Sequence, residues 1–147
     1  GNPVFVTGRG NAMESHAFGS RSAGKRASCE AAAAMAYKKA GWDKPMADIA
    51  EVSASSAVSE LLAIEALGLA EPGRGLGAAL GGKVRVNASG GALPADPIMA
   101  TGLIRLANAA RQLSRPGLYG SEAPSRAIAH GAGGVAMQSN CVFTLEV

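Results

Sequence analysis

Residues 48–69 read DIAEVSASSAVSELLAIEALGL. Asp48 to Val52 opens the stretch as a short strand, with branched Ile49 and Val52 in it. Ser53, Ser55 and Ser56 break that pattern. Beyond them Val58, Leu61, Leu62 and Leu69 recur as the apolar side of a helix, and Gly68 is placed to cap its end. Strand, serine turn, helix and glycine stop form one β–α unit.

The same reading extends outward in both directions. Upstream, Val4 to Thr7 is a strand signal ahead of Gly8, and Asn11 to Ala27 reads as a long polar loop or crossover. Cys29, Ala32, Ala33, Ala36, Tyr37 and Ala40 then follow helical spacing, with Ser28 as candidate N-cap and Gly41 just past the end. Downstream, AEPGRGLGAALGG (residues 70–82) reads as a flexible connection. Its glycines lack the G-x-G-x-x-G spacing between strand and helix that cradles a dinucleotide phosphate, so a plain loop is expected. Lys83 to Val86 is a short strand and Asn87 to Gly91 a turn. Pro97 fits the first turn of a third helix, whose seam is Met99, Leu103, Leu106, Ala110 and Leu113. After a Pro/Gly loop at Ser114 to Pro124, two strands close the chain, Arg126 to His130 and Asn140 to Glu146, joined by the Gly-rich turn Gly131 to Gly134. Strands alternating with helices and ending in a tight pair predict an α/β fold. One domain over 1–147 is expected, with a mixed sheet, an antiparallel edge pair and helices on its faces.

Composition fits a packed domain. Of 147 residues 31 are Ala and 20 are Gly, so about a third of the chain is small enough to let helices and strands approach closely. With 48% hydrophobic residues, 17% charged and a net charge of +3, the chain is neither disordered nor collagenous, and two cysteines exclude a disulfide scaffold. Cys29 and Cys141 have no CxxC or Cys/His spacing, so reduced, packed thiols and no metal site are expected. The basic groups Arg21/Lys25/Arg26 and Arg105/Arg111/Arg115 are scattered among acidic residues and read as solvated faces, not as a nucleic-acid surface. No apolar run reaches the roughly 18 to 20 residues of a membrane span. The N-terminus also lacks the pattern of a signal peptide, so a cytoplasmic location is expected.

Three stretches, in order, resemble the C-terminal half of the thiolase superfamily, especially its sterol-carrier-type and lipid-transfer-type acyl-CoA members. Ala50 to Val52 with Glu60 to Leu69 is similar to the family's strand and "ELLALEDLGL" helix. Val86 to Gly91 resembles its "VNPSGG" turn, and Pro97 to Gly102 the helix start of "GHPxGATG". Ala129 to Gly134 with Asn140 to Glu146 resembles its final Gly-rich hairpin. The resemblance covers nearly the whole chain and implies a single thiolase-like half.

The resemblance also implies a chemistry. Thiolases break or make the carbon–carbon bond of a 3-oxoacyl-CoA, with coenzyme A as substrate or product and no cofactor held permanently. That reaction needs a nucleophilic Cys, an acid/base and an oxyanion hole. The family's nucleophile lies in the half that has no counterpart here, so a partner is implied: a thiolase-like N-terminal half, a full thiolase subunit, or a second copy in a homo-oligomer. Three family positions depart. Ala95-Asp96-Pro97 stands for Gly-His-Pro, Ser53 begins the turn that carries an Asn or His, and Ala129-His130 occupies the region of the second Cys. His130, Asp96 and Ser53 are the candidate catalytic residues, and Asn87, Gly90 and Gly91 the candidate loop against the acyl-CoA. Each has a plainer alternative: a core histidine for His130, a helix N-cap for Asp96, a turn residue for Asn87. His16 reads as a surface residue. Three functions follow: half of an acyl-CoA acyltransferase, a non-catalytic scaffold that completes a true thiolase, or retro-aldol cleavage of a 3-hydroxyacyl-CoA.

Overall fold

The computed structural model describes residues 1–22, 24–120 and 123–147. Five strands form one mixed sheet: β1 (Phe5–Met13), β2 (Ile49–Val52), β3 (Arg85–Val86), β4 (Arg126–Gly133) and β5 (Ser139–Glu146), in the order β1-β5-β4-β2-β3. β2 runs parallel to both β3 and β4, while β5 runs antiparallel to β4 and to β1. The expected antiparallel pair is therefore β4–β5, and β1 extends it to the sheet edge.

Strand alternation divides the core into two layers. Ala50, Val52, Ile128 and Val142 point to one face, where Cys29, Ala32, Ala33 and Ala36 of helix α1 (Ala27–Ala40) and Ala63 of α2 (Ala57–Ala66) cover them. Ile49, Ala127, Ala129 and Leu145 point to the other, against Ala109 and Leu113 of α4 (Thr101–Ser114). The small residues act where α1 meets β1. A Cβ on Gly10 would overlap the Ala32 carbonyl oxygen, and one on Gly8 the Ala36 carbonyl oxygen, so the helix backbone lies directly on the strand.

Several elements differ from the sequence reading. β1 continues to Met13, into the stretch expected to be loop, because it pairs with β5 from Phe5 to Met13 with one irregularity at Thr7. Ser28 is not an N-cap: Arg26 holds that position, and the Ser28 amide and hydroxyl both donate to Glu14 Oε2, at 3.2 and 2.7 Å. Gly41 does end α1 in the left-handed conformation. α2 starts with a reciprocal cap between Ser56 and Ser59, and its buried face is Ser59, Ala63 and Ile64; Val58 is 67% exposed. The Gly-dense connection contains a helix, α3 (Gly75–Gly81). A tertiary contact supports it. The Glu65 carboxylate accepts the Gly75 amide at 2.9 Å, and the missing side chain lets Gly75 sit against the Leu61 carbonyl.

α4 departs most. It begins at Thr101, after Pro97, and turns Thr101, Arg105, Ala109, Gln112 and Leu113 inward. Met99 (98% exposed) and Leu103 (70%) of the expected seam face outward. Arg105, expected on a solvated face, is buried. The cause is Glu51, whose strand position points its carboxylate at α4 in the dry core, where a charge needs a partner.

Candidate functional site

The parallel strands β2 and β4 end side by side, and the chain turns beyond their C-terminal ends gather around a cavity of about 270 Å³. In open α/β sheets this is where ligands bind. Ser53 and Ser55 come from the turn after β2, Asp96 and Ile98 from the segment entering α4, Thr101 from the helix's first position, Ala132 from the end of β4, and Gly134, Ala136 and Met137 from the β4–β5 connection. Two of the three expected catalytic residues thus meet, although they are 43 positions apart in the chain. The Ser53 side is firm, since that residue is buried and its amide donates to the His130 carbonyl at 3.1 Å.

Asp96 is not the N-cap of α4. Ala100 occupies that position without a side-chain cap, and the Asp96 carboxylate instead accepts the hydroxyl of Thr101. The cavity therefore has a carboxylate acceptor, two serine hydroxyls and an apolar wall. It has no thiol. Cys29 is fully buried on the sheet-facing side of α1, and burial pushes its thiol up to about 12. Cys141 lies on β5 with its thiol also raised by burial.

His130 stands elsewhere. It is 1% exposed and does not line the cavity. Its Nε2 meets Asn140 Oδ1 at 2.8 Å. Asn140 Nδ2 donates to the Met137 carbonyl (2.9 Å) and to Ser28 Oγ (2.7 Å), which fixes the amide's orientation and makes Nε2 the protonated nitrogen. His130 Nδ1 has no hydrogen-bond partner among the described residues. Burial lowers the imidazole to about 4, with the Arg26 charge adding to the effect and the Asn140 hydrogen bond opposing it. His130 is thus a neutral ring at pH 7 that ties β4 to β5 beneath the cavity. His16 is exposed, as expected.

Asn87, Gly90 and Gly91 form the loop after β3, and none of them lines the cavity. The Asn87 amide donates to the Ala50 carbonyl (2.8 Å), and its Oδ1 accepts the Val52 amide (2.7 Å). It thereby holds the end of β2 just before Ser53. Gly91 has φ +69°, and a Cβ there would strike the Asn87 side chain. This loop bears on the cavity only through the end of β2 that leads to Ser53.

The residues that pin the loop were missed. Glu51 Oε2 accepts Arg105 Nη1 at 2.9 Å and Ser89 Oγ at 2.5 Å, while Oε1 accepts Gln112 Nε2 at 2.8 Å and the Ser89 amide at 3.2 Å. Four donors on one buried carboxylate join β2, the 87–91 loop and α4. A signal existed in the sequence: Arg105 and Gln112 are seven positions apart, two turns along one helix face, and Glu51 is the only charge inside its strand.

The sequence of this chain matches the thiolase C-terminal domain-like family over residues 10–146. It is a member of that family. No curated protein sequence matches it. Among solved structures, this thiolase-like chain is similar to the "Ltp2-ChsH2(DUF35) aldolase" (TM-score 0.81, 15% identity), with 99% of this chain covering 40% of that one. It is also similar to a β-ketoacyl synthase from Burkholderia phymatum STM815 (TM-score 0.53, 12% identity), with 97% covering 58%. At these identities the likeness is one of fold. The thiolase-like chain spans less than two thirds of either structure. Among the described residues no group of three or more His, Cys, Asp or Glu side chains could hold a metal ion, and no helix is long and apolar enough to cross a membrane.

Proposed function

We propose that this thiolase-like chain supplies one half of an acyl-CoA carbon–carbon bond site and that a partner half supplies the nucleophilic cysteine. One observation carries the reading. Ile98 (82% exposed) lines a cavity without a thiol, and Met99 and Leu103, close to it in the chain at the entry to α4, also face outward while Arg105 and Gln112 point inward. Contiguous exposed apolar residues beside a cavity mark an interaction surface. A second thiolase-like half docked there would close the cavity and bring in a cysteine; a second copy of this chain would cover the same residues in a homo-oligomer. The non-catalytic scaffold uses the same surface and differs only in turnover. Coenzyme A enters as substrate or product, with no cofactor held permanently.

Asp96 favours retro-aldol cleavage as a second reading. An ionised carboxylate cannot donate to an enolate oxygen, but it can accept the proton of a 3-hydroxyl. With that proton on Asp96, the C2–C3 bond of a 3-hydroxyacyl-CoA breaks to a carbonyl product and the enolate of a shorter acyl-CoA, which takes a proton at C2.

The test is co-expression with the products of neighbouring reading frames, followed by gel filtration and assays with a 3-oxoacyl-CoA plus coenzyme A and with a 3-hydroxyacyl-CoA. Co-elution with a cysteine-bearing thiolase-like protein and turnover that falls at least tenfold in Asp96→Ala are expected. Co-elution without any effect of this chain on turnover establishes the scaffold. If the chain stays monomeric with every such protein, the subunit reading fails.

A further inference from the structure

The cavity wall contributed by the β4–β5 connection has an unusual backbone. Ala136 (φ 48°) and Met137 (φ 56°) both lie in the left-handed region, where a side chain is disfavoured, and both line the cavity. Four consecutive carbonyls of this turn are held from outside it. Arg21 Nη1 donates to the Val135 oxygen (3.0 Å) and Nη2 to the Ala136 oxygen (2.8 Å). Asn140 Nδ2 donates to the Met137 oxygen (2.9 Å), and the Glu14 amide to the Gln138 oxygen (2.9 Å). Arg21 Nε also lies 3.8 Å from Glu14 Oε1, and the other oxygen of that carboxylate anchors Ser28 at the start of α1.

We propose that Arg21 is a positioning residue for the cavity: its guanidinium grips the Val135 and Ala136 carbonyls and keeps Ala136 and Met137 in the left-handed conformation that shapes the wall. Two donors in a fixed fork suit adjacent carbonyls, and no other side chain offers that geometry. Asn140 and Glu14 hold the C-terminal end of the turn, where the backbone returns to the right-handed conformation at Gln138. Arg21 holds the peptide carbonyls on both sides of Ala136, including the one that links the two left-handed residues. The wall position follows from the geometry alone; its consequence for acyl-CoA rests on the proposed function.

Hydrogen exchange in the full chain, with its partner half if one co-purifies, provides the test. Two amides report on the turn: Met137, which donates to the Gly134 carbonyl, and Glu14, which donates to Gln138. Ala33 and Ala36 in α1 are the controls. In Arg21→Gln the two reporters are expected to exchange at least about tenfold faster while the controls stay within about twofold, since opening is local. Arg21→Lys keeps the charge but not the fork and should recover less than half of the lost protection on a logarithmic scale. Ala136→Gly added to Arg21→Gln should recover at least half, because glycine adopts the left-handed conformation without a Cβ penalty. Reporters unchanged in Arg21→Gln overturn the proposal. Reporters and controls speeding up together also overturn it, since Arg21 would then stabilise the whole chain, and so does a failure of Ala136→Gly to restore protection. Acetyl-CoA binding to the partnered chain separates the two readings. If the competent turn is populated a tenth of the time in Arg21→Gln, apparent affinity falls about tenfold. If the parent protein binds no acetyl-CoA, the proposed function fails while the exchange result still decides the role of Arg21.

Discussion

Replacing Arg105 by methionine tests whether the Glu51 network holds the 87–91 loop and α4 onto the sheet. Methionine approximates the length of the arginine stem, so packing is largely kept while the guanidinium is lost. What remains is a fully buried carboxylate with three neutral donors, the Ser89 amide and hydroxyl and the Gln112 amide group. Breaking a buried ion pair on one side costs roughly 3–5 kcal/mol, because the surviving charge is left uncompensated. A domain of this size is held by about 5–15 kcal/mol, so Arg105→Met should still fold under mild conditions. With a urea m-value of about 2 kcal/mol/M the midpoint should drop by roughly 1.5–2.5 M with little change in slope. The double variant Glu51→Met/Arg105→Met removes both charges and should be less destabilised than the sum of the two single variants by at least about 2 kcal/mol. The assay is equilibrium urea unfolding followed by far-UV circular dichroism at pH 7. An Arg105→Met midpoint within about 0.5 M of the parent, or additive costs in the cycle, would refute the reasoning.

Three further outcomes follow from other parts of the molecule. His130 is depressed to about 4 from 6.5, so between these values the unfolded chain binds a proton that the native state refuses; stability is complete above pH 6.5, declines by about 3 kcal/mol down to pH 4 and is then flat for this group. Urea midpoints from pH 4 to 7 should show that slope, and His130→Gln should remove most of it. Gly10→Ala should cost about 1–3 kcal/mol or more by forcing α1 off β1, whereas Gly19→Ala, with open space around its Cβ position, should be nearly neutral; equal thermal midpoints would contradict the close contact. Leu103→Glu should leave urea stability within about 0.5 kcal/mol while abolishing co-elution with the partner half; retained co-elution would show that the docking surface lies elsewhere.

Much of the element order was legible because it depends on near neighbours in sequence. The repeat of small residues from Cys29 to Ala40, Gly41 after it, and the closing strand pair are local patterns, and each appears in the structure. α3 was hidden because its stability comes from Glu65 on another helix and not from its own glycine-rich sequence. The expected α4 seam holds only in its C-terminal half: Leu106, Ala110 and Leu113 pack on the core, whereas Met99 and Leu103 face outward. Periodicity groups Met99 and Leu103 with the core residues Leu106 and Leu113, but the neighbouring strand decides which side of the N-terminal half is dry, and there Glu51 draws Arg105 inward. At the candidate site, resemblance singled out Ser53, Asp96 and His130, and the cavity gathers the first two. His130 pairs in register with Val52 at the end of β2, next to Ser53, yet strand alternation sends its side chain to the α1 face.

What the sequence determined by itself is the α/β class, the thiolase-like identity and the close approach of its layers, since these follow from local periodicity, motif order and the supply of small residues. Tertiary structure alone decided that Glu51 needs Arg105 inside, that Ile98, Met99 and Leu103 at the entry to α4 face outward, and that Arg21 reaches across to the β4–β5 turn. These depend on the geometry between elements far apart in the chain, where a buried charge must find its partner and a strained turn its support.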